Sequence, residues 1–407
     1  MTRKVIIAGG GIGGLTAALA LLDRGFSVTV LEQTPELGAV GAGLQLSANA
    51  TRVLYQLGLA EALQRVTMRP GGKFIRLWNT AEEWKLFDLG EESVAHYGYP
   101  YLMLYRPDLQ QVLVDEVRER SPDSLVLGAK VADVSQSDDG VEVRLADGRT
   151  FSGDALVGAD GVHSVVRTKM IAEDKPRFSG CVAWRGVVPL ERLPARMHTS
   201  AAINWIGPGA HFTQYTIGAG TLIGFTGVVE KEGWEKESWT ESGSVEECLS
   251  DYAGWHENIH ALIKNMAQPL KWAMMVRDPI QNWSKGRVTL LGDAAHPTLP
   301  FLAQGAAMAV EDGCVLARAL AAHPHDVPRA WLVYQATRLE RTTRIVEGSA
   351  ANTKRFHNPE LANSKGASEY VTREWEPSKV RARYDWLFAY EPDTVPLATV
   401  EAKALAA

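Results

Sequence analysis

The sequence predicts an α/β protein: a discontinuous, Rossmann-like nucleotide-binding domain, an inserted mixed-sheet domain, and a helical C-terminal region. Three observations carry this reading. A short apolar, β-branched run from Val5 to Ala8 leads into the glycine run Gly9 to Gly14 and then into a stretch of helical character, the opening of a βαβ unit. Between about Arg177 and Ala273 the composition shifts, with frequent tryptophan and alternating apolar residues, as in a sheet covering something apolar. From Gly286 the first style returns: an apolar run Val288 to Leu291, a Gly292-Asp293 turn, and a helix from about Gly305.

The expected division follows. Residues 1–73, 101–176 and 274–355 form the nucleotide-binding domain, 74–100 with 177–273 form the inserted, substrate-binding domain, and 356–407 form a C-terminal tail. In order along the chain, Val5 to Ala8 reads as a buried parallel strand. Leu15 to Arg24 reads as a helix stopped by Gly25, and Ser27 to Glu32 as the second strand. Ala50 to Leu57 is expected to be helical, capped by Ser47 or Asn49. Phe74 to Asp88 is mixed and strand-like. Arg106-Pro107-Asp108 opens an amphipathic helix with Leu109, Val112, Leu113 and Val117 on one face, and Pro107 suits its first turn. Val126 to Leu145 reads as antiparallel strands joined at Asp138-Asp139-Gly140. Ala155 to Ala159 is another short buried strand, and Ala201 to Trp205 and His211 to Ile217 alternate. The tail is helical from Pro328 to about Arg355; beyond that it is polar and aromatic, with no element assigned.

Composition narrows the classes of function. The chain has 407 residues, 46% apolar and 22% charged, with a formal net charge of −6. Without a long basic run, neither nucleic acid nor an anionic membrane is expected as the main partner. Cys181, Cys248 and Cys314 lie far apart, with neither metal-ligand nor redox-pair spacing. No metal site is expected, and a reducing cytoplasm is. The apolar run at Val5 is short and broken by glycine, and no stretch reaches the ~18 apolar residues of a spanning helix.

Gly9, Gly11 and Gly14 satisfy G-x-G-x-x-G between the strand and the helix. The first glycine permits the tight turn, the second lets backbone approach a pyrophosphate, and the third lets helix pack on strand. The helix N-terminus offers free N–H groups to the anion. Glu32 closes the second strand, where an acid accepts from a ribose hydroxyl.

Two further motifs follow short strands: Gly158-Ala159-Asp160-Gly161-Val162-His163-Ser164-Val165-Val166-Arg167 and Leu291-Gly292-Asp293-Ala294-Ala295-His296-Pro297. With the fingerprint, and in this order, they resemble the class A flavoprotein monooxygenases, the para-hydroxybenzoate hydroxylase-like family, over nearly the whole chain. The stretches Val40-Gly41-Ala42-Gly43-Leu44-Gln45, Ala183-Trp184-Arg185-Gly186, His211-Phe212-Thr213-Gln214-Tyr215 and Ala303-Gln304-Gly305-Ala306 are similar to its phenolic-acid hydroxylases. These include salicylate hydroxylase, 3-hydroxybenzoate 6-hydroxylase and 6-hydroxynicotinate 3-monooxygenase.

The resemblance implies a GR2-type fold with tightly bound FAD, NADH or NADPH as co-substrate, and O₂. It implies hydroxylation of a small phenolic acid, salicylate- or hydroxybenzoate-like, through a flavin C4a-hydroperoxide. Gly9, Gly11, Gly13, Gly14, Glu32, Gln33, Gly43, Leu44, Arg106, Asp160, Gly161, Asp293, Pro300, Gln304, Gly305 and Ala306 are then expected to line the cofactor. Asp293 would meet the ribitol, and the helix opened by Gln304 and Gly305 would present N–H groups to the flavin pyrimidine.

A phenol is more reactive once deprotonated, and a histidine near neutral pKa suits that task. His211 and Tyr215, on one side of a strand at period 2, and His296 are the catalytic candidates. The alternatives are that the first two merely seal the sheet and that His296 holds its loop. Gln45, Arg185, His211, Tyr215, Pro300 and Phe301 are the substrate-binding candidates, and Arg185 could equally serve a structural salt bridge. Trp184, Trp205 and Phe212 read as packing residues.

The chain departs from the family at several points. Ala303 and Ala307 stand where glycine, or glycine or asparagine, is frequent. Gln45 and Phe301 stand where the hydroxynicotinate enzymes carry histidine. Pro300 replaces a polar side chain of the 3-hydroxybenzoate enzymes. An N-heteroaromatic acid such as 6-hydroxynicotinate, a flavin oxidase or dehydrogenase on the same fold, and a flavin-binding redox sensor remain as other readings. The partner expected is a small aromatic acid, and a homodimer is left open.

Overall fold

The strand Lys4–Ala8 lies at the centre of a six-stranded sheet because every residue from Val5 to Ala8 is inaccessible to water. The computed structural model describes residues 3–38, 41–171, 176–231 and 243–401. The sheet runs in the order Ser284–Lys285, Val288–Leu290, Ala155–Gly158, Lys4–Ala8, Ser27–Leu31, Leu125–Val126. All neighbours pair in parallel except the first two. Parallel strands covered on both faces read as unbroken apolar runs.

The first helix, Ile12–Leu22, starts three residues before the expected Leu15. Its opening glycines lie inside the helix because close packing excludes side chains there. A Cβ at Gly13 would press on Leu291 and stand 2.9 Å from Ala309 Cβ, on the helix Gly305–Ala322. On that partner helix, a Cβ at Gly313 would stand 2.9 Å from the Ala17 nitrogen. Gly13 thus serves helix packing.

The inserted region forms a seven-stranded mixed sheet. Its order is Leu270–Val276, Arg177–Pro189, Leu222–Glu230, Ala210–Ile217, Ala202–Gly207, Gly72–Leu77, Glu83–Asp88. The strand-like stretch from Phe74 to Asp88 is an antiparallel hairpin, Gly72–Leu77 with Glu83–Asp88. Leu270–Val276 crosses the boundary expected at 273/274, because it pairs along the long strand Arg177–Pro189. Period-2 alternation divides the sheet. Trp184, Trp205, Phe212 and Phe225 join a core beneath the helices Val245–Asp251 and Glu257–Asn265. Ile75, Ala183, Tyr215 and Ile217 join Phe301 on the other side. The small sheet Gly43–Leu46, Leu102–Tyr105, Thr67–Met68 connects this inner face to the nucleotide-binding side. The hairpin Val131–Gln136 with Val141–Leu145 forms at the Asp-Asp-Gly turn.

After the long helix Val327–Phe356, two more helices form where the sequence assigned none: Ser364–Glu374 and Pro377–Phe388. The Asn363 side chain caps the first and that of Glu376 the second, with Pro377 at the first helical position. Their aromatics are buried, among them Tyr370, Trp375, Tyr384 and Phe388. These buried residues recur at helical spacing, with Val380, Tyr384, Leu387 and Phe388 on one face, a period that the charged residues between them make less conspicuous in the sequence. Among the described residues no helix is long and apolar enough to cross a membrane.

The glycine turn yields a test. A Cβ at Gly14 would collide with the Gly9 carbonyl oxygen and approach Ala159 Cβ to 3.3 Å. Gly14→Ala is expected to cost about 1–3 kcal/mol, the range for overpacking, visible as a lower Tm; an unchanged Tm would contradict this packing.

Candidate active site

The cradle begins where two parallel strand ends converge. Gly9 has φ +111, and a Cβ there would collide with the Ala159 carbonyl oxygen, so only glycine fits. Gly11 contrasts with it: no atom lies within 4 Å of where its Cβ would be. It precedes the helix Ile12–Leu22 without a side-chain cap, leaving N–H groups turned to open space. Glu32 Oε2 accepts from the Gly10 N–H at 2.7 Å, and Oε1 accepts from the Thr34 N–H and hydroxyl, both at 2.9 Å. The carboxylate therefore ties the glycine turn to the second strand and still has a lone pair to offer. Gln33 beside it is exposed.

Asp160 accepts from the Val165 N–H at 2.7 Å, the Val166 N–H at 3.1 Å and the Ser164 hydroxyl. It organises its own short helix, Val165–Met170, which is the turn role of an aspartate before glycine. Gly161 follows at φ +78 with open space around it. Arg167, buried, donates from Nη1 to the carbonyls of Ala294 (3.0 Å) and Ala295 (3.1 Å). The Asp-Gly and Gly-Asp motifs are thereby stapled together. Asp293 is accessible from the cleft yet surrounded by protein, which raises its carboxyl pKa; His296 and Arg106 act against that rise. Among the described residues its carboxylate accepts no hydrogen bond. Arg106, exposed, opens the helix Arg106–Arg120, and its N–H donates to the Ala42 carbonyl at 3.0 Å.

The inner face of the seven-stranded sheet forms a second group. Lys73, Arg185, His211 and Tyr215 come from three strands and share the parity of Ile75, Ala183 and Ile217. Gln45 reaches them from the small sheet. Its Oε1 accepts from the Tyr101 hydroxyl at 2.8 Å and the Lys73 ammonium at 3.4 Å, and its side chain also bonds Tyr215. Burial pulls Lys73 down to about 8 and pushes Tyr215 up to about 12, the latter moderated by Arg185. Burial also lowers Arg185 to about 10, and its guanidinium lies 4.4 Å from the Trp272 ring centroid.

His211, 2% accessible, has its pKa lowered well below the usual value by burial, then by His357 and Lys73. It is a neutral imidazole, held edge-to-face against Phe301 at 4.8 Å. A Cβ at Gly43 would stand 2.6 Å from the Tyr215 ring, so residue 43 must be small; Leu44 beside it is half-buried. Pro300, exposed, begins the short turn Pro300–Leu302. That turn is stitched to the long helix by Asn352, which donates to the Phe301 carbonyl at 3.1 Å, and by Ser349, which donates to that of Leu299.

A model of the FAD-binding domain matches residues 2–349. The chain belongs to this family. FAD is its cofactor, and the cradle suits it: a glycine turn open to phosphate, an acid at the second strand, and a carboxylate awaiting donors. A 3-amino-4-hydroxybenzoate 2-monooxygenase of Streptomyces platensis is 36% identical, covering 95% of this chain and 96% of that one. A 3-hydroxybenzoate 6-hydroxylase of Polaromonas naphthalenivorans is also 36% identical, covering 95% and 96%. A variant of Klebsiella pneumoniae HpxO, crystallised with FAD, superposes with a TM-score of 0.80 at 26% identity, covering 95% and 98%.

Within this FAD-binding fold, two expected residues lie elsewhere than anticipated. His296, expected beside the reaction, is 3% accessible, and its Nε2 bonds Asp312 Oδ2 at 2.7 Å. Asp312 also accepts from the Gly292 N–H at 3.0 Å and from Arg338 Nε at 2.8 Å. His296 is therefore drawn beneath the Gly-Asp turn, where it holds the loop. Gln304 is turned away likewise: its Nε2 donates to the Ser47 hydroxyl at 2.9 Å and its Oε1 accepts from Asn49 at 3.0 Å. The backbone it caps still opens the helix at Gly305, with Ala306 half-buried. Ala303 has φ +55, a left-handed conformation that costs a side-chain-bearing residue about 1–2 kcal/mol.

Sequence reasoning missed Lys73, Tyr101 and His357. Lys73 had a signal, since it falls on the inward parity with Ile75 and Leu77; the other two are joined to the site by tertiary contacts alone. Because its pKa is about 8 in the folded chain against 10.5 for an unperturbed lysine, charged Lys73 destabilises the fold below pH 8, and stability recovers as pH rises towards 10.5. Lys73→Met should therefore be more stable at pH 7 by about 1–3 kcal/mol. The gain should shrink towards pH 10, as urea titrations at both pH values would measure.

Proposed function

We propose that this protein is an NAD(P)H- and O₂-consuming, FAD-dependent monooxygenase that hydroxylates a small phenolic acid. The observation that carries the reading is the composition of the inner face. A neutral histidine beside Tyr215 and Gln45 suits a phenol, and two buried cations, Lys73 and Arg185, suit a carboxylate. The names of the two relatives at 36% identity, both acting on hydroxybenzoates, support it.

The overall change is ring C–H plus O₂, NAD(P)H and a proton to ring C–OH, NAD(P)⁺ and water. Bound FAD supplies the electron transfer and oxygen activation. The chain's residues do the rest. When FAD is bound, Gly9 to Gly14 would receive its pyrophosphate, and Glu32, Arg106 and Asp293 would hold its ribose, nucleotide and ribitol. His211 Nε2 takes the phenolic proton, raising electron density on the ring. Gln45 and Tyr215 orient the phenol by hydrogen bonds, while Lys73 and Arg185 hold the acid. Phe301, Tyr101 and the surrounding aromatics keep water from the reacting atoms.

A panel of 3-amino-4-hydroxybenzoate, 3-hydroxybenzoate, salicylate and 6-hydroxynicotinate under ¹⁸O₂ tests this. The expected outcome is NAD(P)H oxidation coupled to a product carrying one ¹⁸O atom. Hydrogen peroxide alone, or unlabelled product, across the panel would favour an oxidase or dehydrogenase. Asp293→Ala is expected to purify without bound flavin; full flavin absorbance in that variant removes the ribitol role. His211→Ala should retain FAD but slow hydroxylation by roughly 10²-fold or more, the contribution of a positioned base. Turnover and coupling equal to the parent enzyme would exclude it from the chemistry.

A further inference from the structure

His211 does not end at its own ring. Its Nδ1 lies 2.7 Å from Nε2 of His357, and Nδ1 of His357 lies 2.9 Å from Glu230 Oε1. The three residues are remote in sequence. Glu230 ends the strand Leu222–Glu230 and His357 follows the long helix. The series runs outward: His211 is 2% accessible, the His357 side chain 1%, and that of Glu230 55%. Its outer end opens on a surface recess lined by Gly209, Ala210, Val229, Glu230, Lys231 and Trp255. The backbone that carries the inner two rings is tied on both sides. The Tyr252 hydroxyl donates to the His211 carbonyl at 3.1 Å, and the Gly209 N–H donates to the His357 carbonyl at 3.2 Å.

We propose that His357 and Glu230 are positioning residues that connect His211 to the surface as a proton path serving substrate deprotonation. The proposal rests on the reading of His211 as the base. A carboxylate only accepts, so His357 carries its proton on Nδ1 and presents Nε2 as an acceptor. His211 must then carry its proton on Nδ1, towards His357, and its Nε2 is left bare to receive a proton. The surface carboxylate thereby sets the tautomer of a ring two residues further in.

In the transfer, the phenol O–H bond breaks, its electron pair stays on oxygen, and an N–H bond forms at His211 Nε2. The proton on His211 Nδ1 passes to His357 Nε2, and the proton on His357 Nδ1 passes to Glu230, which releases it to water. Both rings end neutral, and reprotonation of the product oxygen by the reverse sequence restores their tautomers.

The other groups facing this series bias it consistently. Lys73, from the strand Gly72–Leu77, disfavours a charged His211, as does His357, while Glu230 favours a charged His357 against the effect of its burial. Phe301 and Phe356 close the remaining sides of His211 without charge. At the recess, Lys231 is held by Asp251 at 3.0 Å.

The test uses the full-length, FAD-loaded enzyme and two measurements. In ¹⁵N-histidine NMR, both His211 and His357 should carry their proton on Nδ1 at pH 7. A proton on His211 Nε2 would overturn the path, and this measurement needs no turnover. With 3-amino-4-hydroxybenzoate as probe, His357→Gln should keep its flavin but lose roughly 10²-fold in hydroxylation rate. Glu230→Gln should lose less and recover as pH rises. If His211→Ala is slow while His357→Gln matches the parent across pH 6–9, the path fails and the base stands. If His211→Ala is unimpaired, the reading beneath it fails.

Discussion

Two carboxylates without access to water, Glu311 and Asp312, hold the arrangement on which both halves of the site depend. They sit side by side in the helix Gly305–Ala322, facing Arg338 and Arg341 of the long helix, with contacts of 2.6 to 2.9 Å. Burial alone would raise the Asp312 carboxyl; His296 and Arg338 outweigh it and hold it at about 2. Such buried pairs repay their desolvation only with good geometry and full hydrogen bonding. Here the remaining lone pairs are used to position things. Asp312 receives the Gly292 N–H and His296, fixing the turn that presents Asp293. Glu311 receives Asn49, which also holds Gln304. Arg341 reaches the carbonyls of Trp386 and Leu387 in the last helix.

Local rules made much of this legible. The glycine turn at Gly9 to Gly14, the two aspartate–glycine motifs and the alternation at His211 and Tyr215 each follow from the backbone or period they require. These features depend on neighbours within a few residues. The partners of the same side chains do not. Nothing near His211 in sequence announces His357, and nothing near Asp293 announces the acid–base pairs below it. His296 shows the limit well. A histidine beside a flavin motif invites a chemical role, but its direction is set by Asp312 and Arg338, and they draw it inward. The C-terminal helices differ: their buried residues, Ala367, Tyr370, Val371 and Trp375 and then Val380, Tyr384, Leu387 and Phe388, do recur at helical spacing, so a signal was present in the sequence and was missed.

The inner sheet face also shows a tension between stability and chemistry. Lys73 and Arg185 are cations lowered by burial, and Tyr215 is a phenol raised by it. Burial penalises the charged form of all three, and neighbours offset part of that cost: Gln45 for Lys73 and Tyr215, and the Trp272 ring for Arg185. An anionic ring entering beside the buried ammonium of Lys73 would bring a charge of opposite sign into a site of low polarity.

The final helix bears on how such an enzyme diversifies. Phe388 stacks edge-on to Tyr101, 5.9 Å between centroids, and Tyr97 bonds Asp385 at 2.8 Å. Tyr101 is the residue that holds Gln45. The far end of the polypeptide therefore backs the chamber from outside the sheet, while the cradle is built entirely from earlier segments. The same helix also meets the ion pairs beneath the flavin turn, because Arg341, paired with Glu311, donates to the carbonyls of Trp386 and Leu387. A change in Pro377–Phe388 is therefore felt by the chamber and by the flavin turn together.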